Sequence, residues 1–328
     1  MSTSIVYCYN NYNTDTYSII CENIKLSCIQ NRGSMELLKW GIMKVKVITD
    51  SGSGLTKEQA AEYGLDFLPL QVIIEDKAYL DGIDLTVEEL YDFIDRGFLP
   101  QTSMPPLGMI EEKFDQYKEE GVTDVVLITL SSGLSGTNQA IQASAKWRGI
   151  KMHTLDIYTT LAVERYLAIS AAKLAQDNVH PDEIVARLKD SVDNSQGFLI
   201  CQDLDHLSRG GRLTPMAAKL GGMLKIRPIL EVSKNTEGKV DVCDKVRTTS
   251  KAVKKACSLA IKAVKDIKDY ELFVMDSRDE QEALNMLEEL HAEYGDITIQ
   301  RQPICAVIAA HTGLHAVAVQ YVKKVKGV

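Results

Sequence analysis

The sequence predicts an α/β fold with two domains, the first of which contains a mostly parallel sheet covered by helices. The chain has 328 residues, whereas a single domain typically has roughly 100–200. From Lys44 onward, short apolar segments alternate with helical patterns, as is typical of parallel strands connected by helices. We therefore expect an N-terminal α/β domain over residues 43–160 and a mixed α/β domain over residues 161–328.

Helix caps and apolar runs predict the elements of the first half. Thr56 with Gln59, and Thr86 with Glu89, have the spacing of capping boxes, in which two side chains satisfy free backbone N–H groups at a helix start. In chain order we expect strand Val45–Thr49, a helix from Thr56, strand Leu65–Ile74, a helix from Thr86 to Gly97, helix Pro106–Glu120, strand Asp124–Leu130, helix Leu134–Trp147 and strand Ile150–Leu155.

The second half begins with two helical patterns and continues mainly with strands. The segment Asn235–Gly238 lies between two of these strands and predicts a hairpin. The expected elements are helices Leu161–Gln176 and Pro181–Asn194, and strands Gly197–Gln202, Ile226–Val232, Val240–Val246, Glu271–Met275, Ile297–Arg301 and Ala306–Ala310.

Residues 1–42 differ from the rest of the chain. They are rich in Tyr and Asn and have no sustained hydrophobic period. A strand-like segment begins directly after them, at Met43. We interpret Met43 as the functional start, and residues 1–42 as an extension that is poorly ordered or not native. The alternative is a genuine extra module.

The composition argues against several classes of function. The formal net charge is −8 and the pI is about 5.4, whereas nucleic acids and anionic membranes attract basic surfaces. The lysines between residues 251 and 268 have the spacing of a solvated helix face. We therefore expect no nucleic-acid binding and at most transient membrane contact.

Three further features indicate a cytoplasmic protein. No apolar run approaches the roughly 20 residues that span a bilayer, and the N-terminus lacks the pattern of a secretory signal. The seven cysteines are odd in number and include no CxxC pair, which favours reduced thiols over a disulfide framework.

The segment with the strongest chemical signal is the loop Ser131–Thr137, SSGLSGT, between a predicted buried strand and a predicted helix. Hydroxyl groups and backbone N–H groups at a helix start suit an anion such as a phosphate, sulfate or carboxylate. The alternative is a plain helix cap with a tight turn. The loop matches neither the Walker A, the GxGxxG nor the GxSxG pattern.

Other polar segments are weaker signals. Thr102–Pro106 is a second hydroxyl-bearing loop at a predicted helix start, and Arg209–Pro215 brings arginines and glycines into a turn. His311 ends an apolar segment near the C-terminus, where a single histidine is usually structural. A metal pair of His311 with His315 is a poor candidate, because Gly313 lies between them and no further ligands are near in sequence.

Taken in order, these segments resemble the DegV family from Lys44 to the C-terminus. Each block is weak alone, whereas their common order makes the resemblance strong. The matching blocks are ITDS (Ile48–Ser51), TSMPP (Thr102–Pro106), SSGLSGT (Ser131–Thr137), RGGRLT (Arg209–Thr214), KIRPIL (Lys225–Leu230), VRT (Val246–Thr248) and AHTG (Ala310–Gly313).

The resemblance implies that two α/β domains enclose a long-chain fatty acid in a tunnel at their interface, with the C-terminal domain covering the acyl chain. It implies a carrier without its own catalysis, which presents the carboxylate to a separate fatty acid kinase for acyl-phosphate formation in phospholipid metabolism. No metal or cofactor is expected. Burial of about 15 methylenes would contribute on the order of 12 kcal/mol before the costs of immobilisation, so the acyl chain would supply most of the affinity.

The resemblance also assigns roles to particular residues. Arg209, Arg212 and Arg247 are implied as contacts with the headgroup or with the kinase. The implied carboxylate-binding residues are Thr102, Ser103, Ser132, Gly133, Ser135, Gly136 and His311. Two positions depart from the family pattern: Leu314–Ala316 replaces a turn that usually contains glycine, and Gly54 stands where an acidic residue is common.

Two other functions stay open from the sequence. One is a small-molecule enzyme, of the hydrolase or phospho-transfer type, that uses Ser135 and His311 as a catalytic pair. The other is a lipid-responsive interaction protein that works without a kinase.

Overall fold

The structure, a computed structural model, describes residues 7–10, 16–21, 24–29, 44–218 and 226–328. The chain forms two compact units, Met1–Lys44 and Val45–Val328. The first unit contains an antiparallel sheet with the strand order β1 (Tyr7–Asn10), β2 (Thr16–Cys21), β3 (Ile24–Ile29). The rest of residues 1–42 lies outside the described residues, so our interpretation of this segment stays a prediction.

The second unit contains thirteen further strands and eleven α-helices within its described residues. The strands are β4 (Val45–Asp50), β5 (Asp66–Leu68), β6 (Gln71–Ile74), β7 (Lys77–Leu80), β8 (Gln101–Ser103), β9 (Asp124–Ile128), β10 (Lys151–Thr154), β11 (Ser195–Ile200), β12 (Arg227–Val232), β13 (Val240–Val246), β14 (Tyr270–Asp276), β15 (Gln300–Pro303) and β16 (Val317–Lys323). The helices are α1 (Lys57–Glu62), α2 (Val87–Asp95), α3 (Leu107–Glu119), α4 (Thr137–Lys146), α5 (Leu161–Gln176), α6 (Pro181–Asp193), α7 (Leu204–Arg209), α8 (Pro215–Ala218), α9 (Thr249–Ala263), α10 (Glu280–Tyr294) and α11 (Ala306–Thr312).

The predicted parallel sheet is confirmed. Strands β10, β9, β4 and β5 pair in this order and are all parallel. Alternate residues of β9 face opposite sides: Val125 and Leu127 pack in a core with α3 and α4, whereas Val126 and Ile128 belong to the core that contains α5 and α6. Helices therefore cover both faces of this sheet. Both predicted capping boxes, at the starts of α1 and α2, are present.

The second half is built on a mixed six-stranded sheet with the order β13-β12-β11-β16-β14-β15. Neighbouring strands in this sheet are antiparallel, except that β14 and β15 are parallel. One face packs against α9 and α10, and the other joins the core that also covers the parallel sheet. A small antiparallel sheet, β7-β6-β8, completes the unit. The division at residue 160 stays a prediction.

Several predicted elements were wrong in detail. The single strand Leu65–Ile74 is divided into β5 and β6, which belong to different sheets, because Pro69 has no N–H group to continue a ladder. The segment Ala306–Ala310 is part of helix α11 and not a strand. A short, fully buried apolar run lacks the polar residues that would reveal its period. The central strand β16 was missed.

Candidate ligand-binding site

A cavity of about 520 Å³, here called the main cavity, lies in the unit Val45–Val328. Its size is within the range of roughly 300–1,000 Å³ that is usual for small-molecule sites. Most of its wall is apolar. The apolar lining residues include Leu70, Leu130, Leu161, Phe198, Leu199, Leu207, Val232, Val240, Val307, Ile308 and Ala318. An elongated apolar ligand therefore suits this space better than a highly charged one.

Two polar side chains meet at the wall of the main cavity. Thr102 Oγ1 lies 2.7 Å from His311 Nε2. Strand β8 holds Thr102 in register with Val72 of β6, whereas His311 lies in the last turn of α11. The tertiary structure thus brings these two residues into contact.

The loop that precedes α4 is held by its own backbone. The N–H group of Ser131 donates to Thr159 O at 2.8 Å, and Ser131 O accepts from the N–H groups of Leu134 and Ser135 at 3.0 and 3.1 Å. These bonds form a turn over residues 131–135, so α4 begins at Thr137 and not at the predicted Leu134. The loop is a preformed wall of the main cavity.

Gly133 is required by close approach to the hairpin between β12 and β13. A Cβ atom at this position would lie 2.4 Å from Glu237 O and 2.6 Å from Gly238 C. Neither backbone atom can move away as a flexible side chain could. The absence of a side chain at residue 133 therefore allows the loop to pack against the second half of the unit.

Ser135 presents its hydroxyl group next to the start of α4. Its Oγ lies 2.8 Å from Thr137 Oγ1 and accepts from the N–H group of Thr137 at 3.3 Å. Among the described residues, its recorded hydrogen bonds do not include His311, whose own side-chain bond goes to Thr102. The structure therefore does not show the Ser135–His311 contact that a catalytic pair would use.

His311 is held as a neutral imidazole. Burial, reinforced by the positive charge of Arg212 and by His206, lowers the pKa of His311 to about 4. His206 itself contacts the same helix, with its Nε2 at 2.9 Å from Ala310 O. A neutral imidazole carries one N–H donor and one acceptor nitrogen, so its tautomer decides which way the Thr102 hydroxyl can donate.

The predicted site residues divide into three groups. Arg209 lines an adjoining recess of about 330 Å³, which is also lined by Thr102, Arg212 and His311. Arg247 is exposed and lines neither space as far as the described residues show. The third group consists of the predicted residues that line the main cavity, namely Thr102, Ser103, Ser132, Gly133, Ser135, Gly136, His311 and Arg212.

Arg212 is the cation that lines both spaces. Its Nη1 donates to Gly210 O at 2.5 Å and its Nε donates to Leu134 O at 3.4 Å. Burial lowers the pKa of Arg212, but guanidinium remains charged in proteins. Backbone carbonyls carry only partial negative charge, so the positive charge of Arg212 stays available to an anion near His311.

Four polar residues of the main cavity, Thr159, Thr160, Thr312 and Gln320, were missed by sequence reasoning. Gln320, on the central strand β16, donates to Thr159 Oγ1 at 3.2 Å and to Thr160 O at 3.1 Å. Its Oε1 accepts from the N–H group of Val163 at 3.2 Å. The signal that was available is a glutamine inside the apolar run Val317–Val322.

A metal site finds no support in the described part of the chain, where no group of His, Cys, Asp or Glu side chains could hold an ion. His311 lies in the last turn of α11, whereas His315 lies beyond Gly313, and His315 Nδ1 lies 3.0 Å from Arg278 O. The four cysteines with described side chains, Cys201, Cys243, Cys257 and Cys305, are all free. Of the helices in the described residues, none has the length and hydropathy needed to cross a bilayer.

Comparison with known proteins agrees with this architecture. A family model described as "Uncharacterised protein, DegV family" matches residues 44–324. The chain is 30% identical to Protein DegV of Bacillus subtilis over 283 residues, which cover 84% of this chain and 98% of that protein. It is 31% identical to a DegV domain-containing protein of Clostridium perfringens, with 86% of this chain and 100% of that protein covered.

Solved structures give the same result. The structure of a fatty acid binding DegV family protein from Streptococcus agalactiae has a TM-score of 0.79 and 29% identity, and the match covers 86% of this chain and 99% of that one. DegV from Bacillus subtilis, described as a fatty acid binding protein, has a TM-score of 0.77 and 28% identity, with 86% and 100% covered. Sequence motifs, fold and family model agree, and the chain belongs to the DegV family.

Proposed function

We propose that this protein binds a long-chain fatty acid in the main cavity and presents its carboxylate to a separate fatty acid kinase. The observation that carries the proposal is the contact of Thr102 with His311 at the wall of a large, mostly apolar cavity. A fatty acid has the matching chemistry, with one polar end and a long apolar chain. The fatty acid binding described for the relatives from Streptococcus agalactiae and Bacillus subtilis supports the same ligand class.

The carboxylate would be held mainly by hydroxyl and backbone donors. When His311 Nε2–H donates to Thr102 Oγ1, the Thr102 hydroxyl hydrogen is free to donate to the ligand. The Ser135 hydroxyl and the backbone N–H group of Gly136 would supply further donors. The N–H groups of residues 132–135 already donate to Ser131 or to Asp156. Arg212, which lines the same cavity, contributes positive charge. Hydrogen bonds to a charged acceptor are stronger than those between neutral groups, so this end fixes the orientation of the ligand.

The acyl chain would supply most of the affinity. Each buried methylene contributes about 0.8 kcal/mol, so about 15 methylenes contribute on the order of 12 kcal/mol before the costs of immobilisation. The wall formed by Phe198, Leu199 and Val232 offers the apolar surface that this requires.

A direct test is native mass spectrometry of the purified protein, followed by denaturation and identification of the released lipid. We expect one fatty acid per chain, and weaker retention in a Thr102→Ala/Ser135→Ala variant. Ser250→Ala is the matched control, because Ser250 is exposed on α9 and away from the cavity lining. A protein that is empty and takes up no added fatty acid would contradict the proposal.

In the kinase step, a carboxylate oxygen of the ligand attacks the γ-phosphorus of ATP, and ADP leaves. This chain contributes no catalytic residue to that step; it holds the acyl group. Exposed Arg247 and Arg209 are our proposed contacts with the kinase or with the headgroup. The test is formation of acyl-phosphate, trapped as a hydroxamate, from a fatty acid kinase, ATP and the loaded protein.

The control reactions separate the alternatives. Arg247→Ala should lower the rate of acyl-phosphate formation without releasing the lipid. Arg187→Ala is the control and should leave this rate unchanged, because Arg187 is half-buried on α6 and lines neither the main cavity nor the adjoining recess. Acyl-phosphate formation that is independent of the loaded protein would contradict the carrier role. Hydrolysis of acyl esters or phosphoesters by the protein alone, lost in Ser135→Ala, would favour an enzyme instead.

A further inference from the structure

A second cavity, of about 390 Å³, has no lining residue in common with the main cavity. It lies at the starts of α1, α2 and α11. Leu55, Leu85 and Ala306 form buried apolar parts of its wall, and Ile83 is an exposed apolar residue that also lines it. The space is therefore large enough for a small organic molecule, with apolar surface for part of that molecule.

At the wall of the second cavity, one buried donor atom has no acceptor and a neighbouring cation has no carboxylate partner among the described residues. Arg165 Nη1 donates to Gln302 Oε1 at 3.2 Å, and no carboxylate of the described residues forms an ion pair with this half-buried guanidinium. The Gln302 Nε2 atom is buried and has no hydrogen-bond partner in the described part of the chain. Unpaired buried donors are unfavourable, so a ligand acceptor at this position would be stabilising.

The acidic residues that line this cavity are Asp81 and Glu58, and Asp50 lies close enough to Asp81 to raise its pKa further. Asp81 Oδ2 accepts from the N–H group of Val307 at 3.1 Å, and burial raises the pKa of Asp81 to about 7. Near neutral pH the Asp81 carboxyl group therefore carries only part of a negative charge. Glu58 is exposed to solvent, and burial raises the pKa of the Cys305 thiol, which keeps it uncharged. The electrostatic repulsion of a bound anion by these groups is therefore weaker than that of full negative charges on all of them.

We propose that the second cavity binds a small amphipathic carboxylate. Arg165 and the amide nitrogen of Gln302 hold the anionic group, and Leu55, Leu85 and Ala306 contact the apolar part. The cavity is smaller than the main one, so it takes a shorter chain than a long-chain fatty acid. Because α11 contributes to both cavities, the bound molecule contacts the helix that carries His311.

The test uses [1-13C]octanoate as the probe and the full chain preloaded with oleate, so that the main cavity is filled. We expect saturable one-site binding of octanoate by NMR, with affinity lowered roughly tenfold or more in Arg165→Gln and in Gln302→Leu, since bonds to charged groups contribute about 1.5–3 kcal/mol. Arg187→Gln is the matched control. Affinity should be higher at pH 6 than at pH 8, because Asp81 gains a proton as the pH falls.

Several outcomes would overturn the proposal. One is the absence of saturable octanoate binding to the oleate-loaded protein. Another is binding that is unchanged in both Arg165→Gln and Gln302→Leu. If the protein does not take up oleate, the same titration is made on the unloaded protein. Loss of octanoate binding in Arg165→Gln then still supports the second site. Loss of octanoate binding only in Thr102→Ala/Ser135→Ala assigns octanoate to the main cavity and overturns the proposal.

Discussion

Thr102 and His311 are 209 positions apart in the chain, yet Thr102 Oγ1 and His311 Nε2 lie 2.7 Å from each other. One residue belongs to a three-residue edge strand and the other to the last turn of a buried helix. Their contact therefore connects the small sheet to α11 and at the same time forms part of the main cavity.

Replacement of Thr102 by Val tests this contact. The variant keeps the shape of the side chain but leaves His311 without its partner, so we expect a loss of about 1–3 kcal/mol in unfolding free energy. Fatty-acid affinity should fall as well, because a ligand donor is removed. Chemical denaturation and lipid titration measure the two effects. Equal stability and equal affinity in Thr102→Val and the unaltered protein would contradict the assigned role.

The protonation of His311 gives a second prediction. Its pKa is lowered to about 4 because the ring is buried and lies near Arg212 and His206. The unfolded chain binds this proton near pH 6.5, so His311 removes stability as the pH falls from about 6.5 towards 4. NMR titration of the ring should show a neutral imidazole at pH 6. A midpoint near 6.5 would refute the assignment.

Asp81 predicts a pH dependence of the opposite sign. Its pKa is raised to about 7, mainly by burial, so the folded protein holds a proton that the unfolded chain has already released. Stability from this group is complete below about pH 4 and decreases as the pH rises through 7. Between pH 6 and pH 8 the expected loss is about 1 kcal/mol.

The variant Asp81→Asn should reduce this decrease. Asn retains an acceptor for the N–H group of Val307 but does not titrate. Asp50, whose pKa burial raises to about 6, contributes with the same sign at lower pH, so part of the slope remains. Denaturation curves at several pH values measure the change. An identical slope in the variant and the unaltered protein would show that Asp81 titrates normally.

Two glycines offer a matched pair for the packing of the SSGLSGT loop. Gly133→Ala places a Cβ atom 2.4 Å from Glu237 O, so we expect a loss of about 1–3 kcal/mol and weaker lipid binding. Gly108→Ala, on α3, meets no atom within 4 Å and should be neutral or stabilising by up to about 1 kcal/mol. Thermal denaturation of both variants checks this. Similar effects of the two substitutions would argue against a tight contact at residue 133.

Local sequence signals predicted much of the scaffold. The capping boxes at Thr56 and Thr86 and the apolar strand Asp124–Ile128 act over a few residues, so they can be read without a structure. The same holds for the hydroxyl-rich loop before α4. The ordered motifs indicated the family and selected residues that line the main cavity.

The sequence by itself therefore determined the class of fold, the family and part of the polar lining of the main cavity. Only the tertiary structure decided that Ala306–Thr312 is a helix, because a short run of consecutive apolar residues has no visible period. It also decided the contact of Thr102 with His311 and the low pKa of that ring. The hydrogen bond between Arg165 and Gln302 beside a second cavity was likewise decided by the tertiary structure. Burial and charge depend on residues far apart in the chain, and periodicity and propensity do not report them.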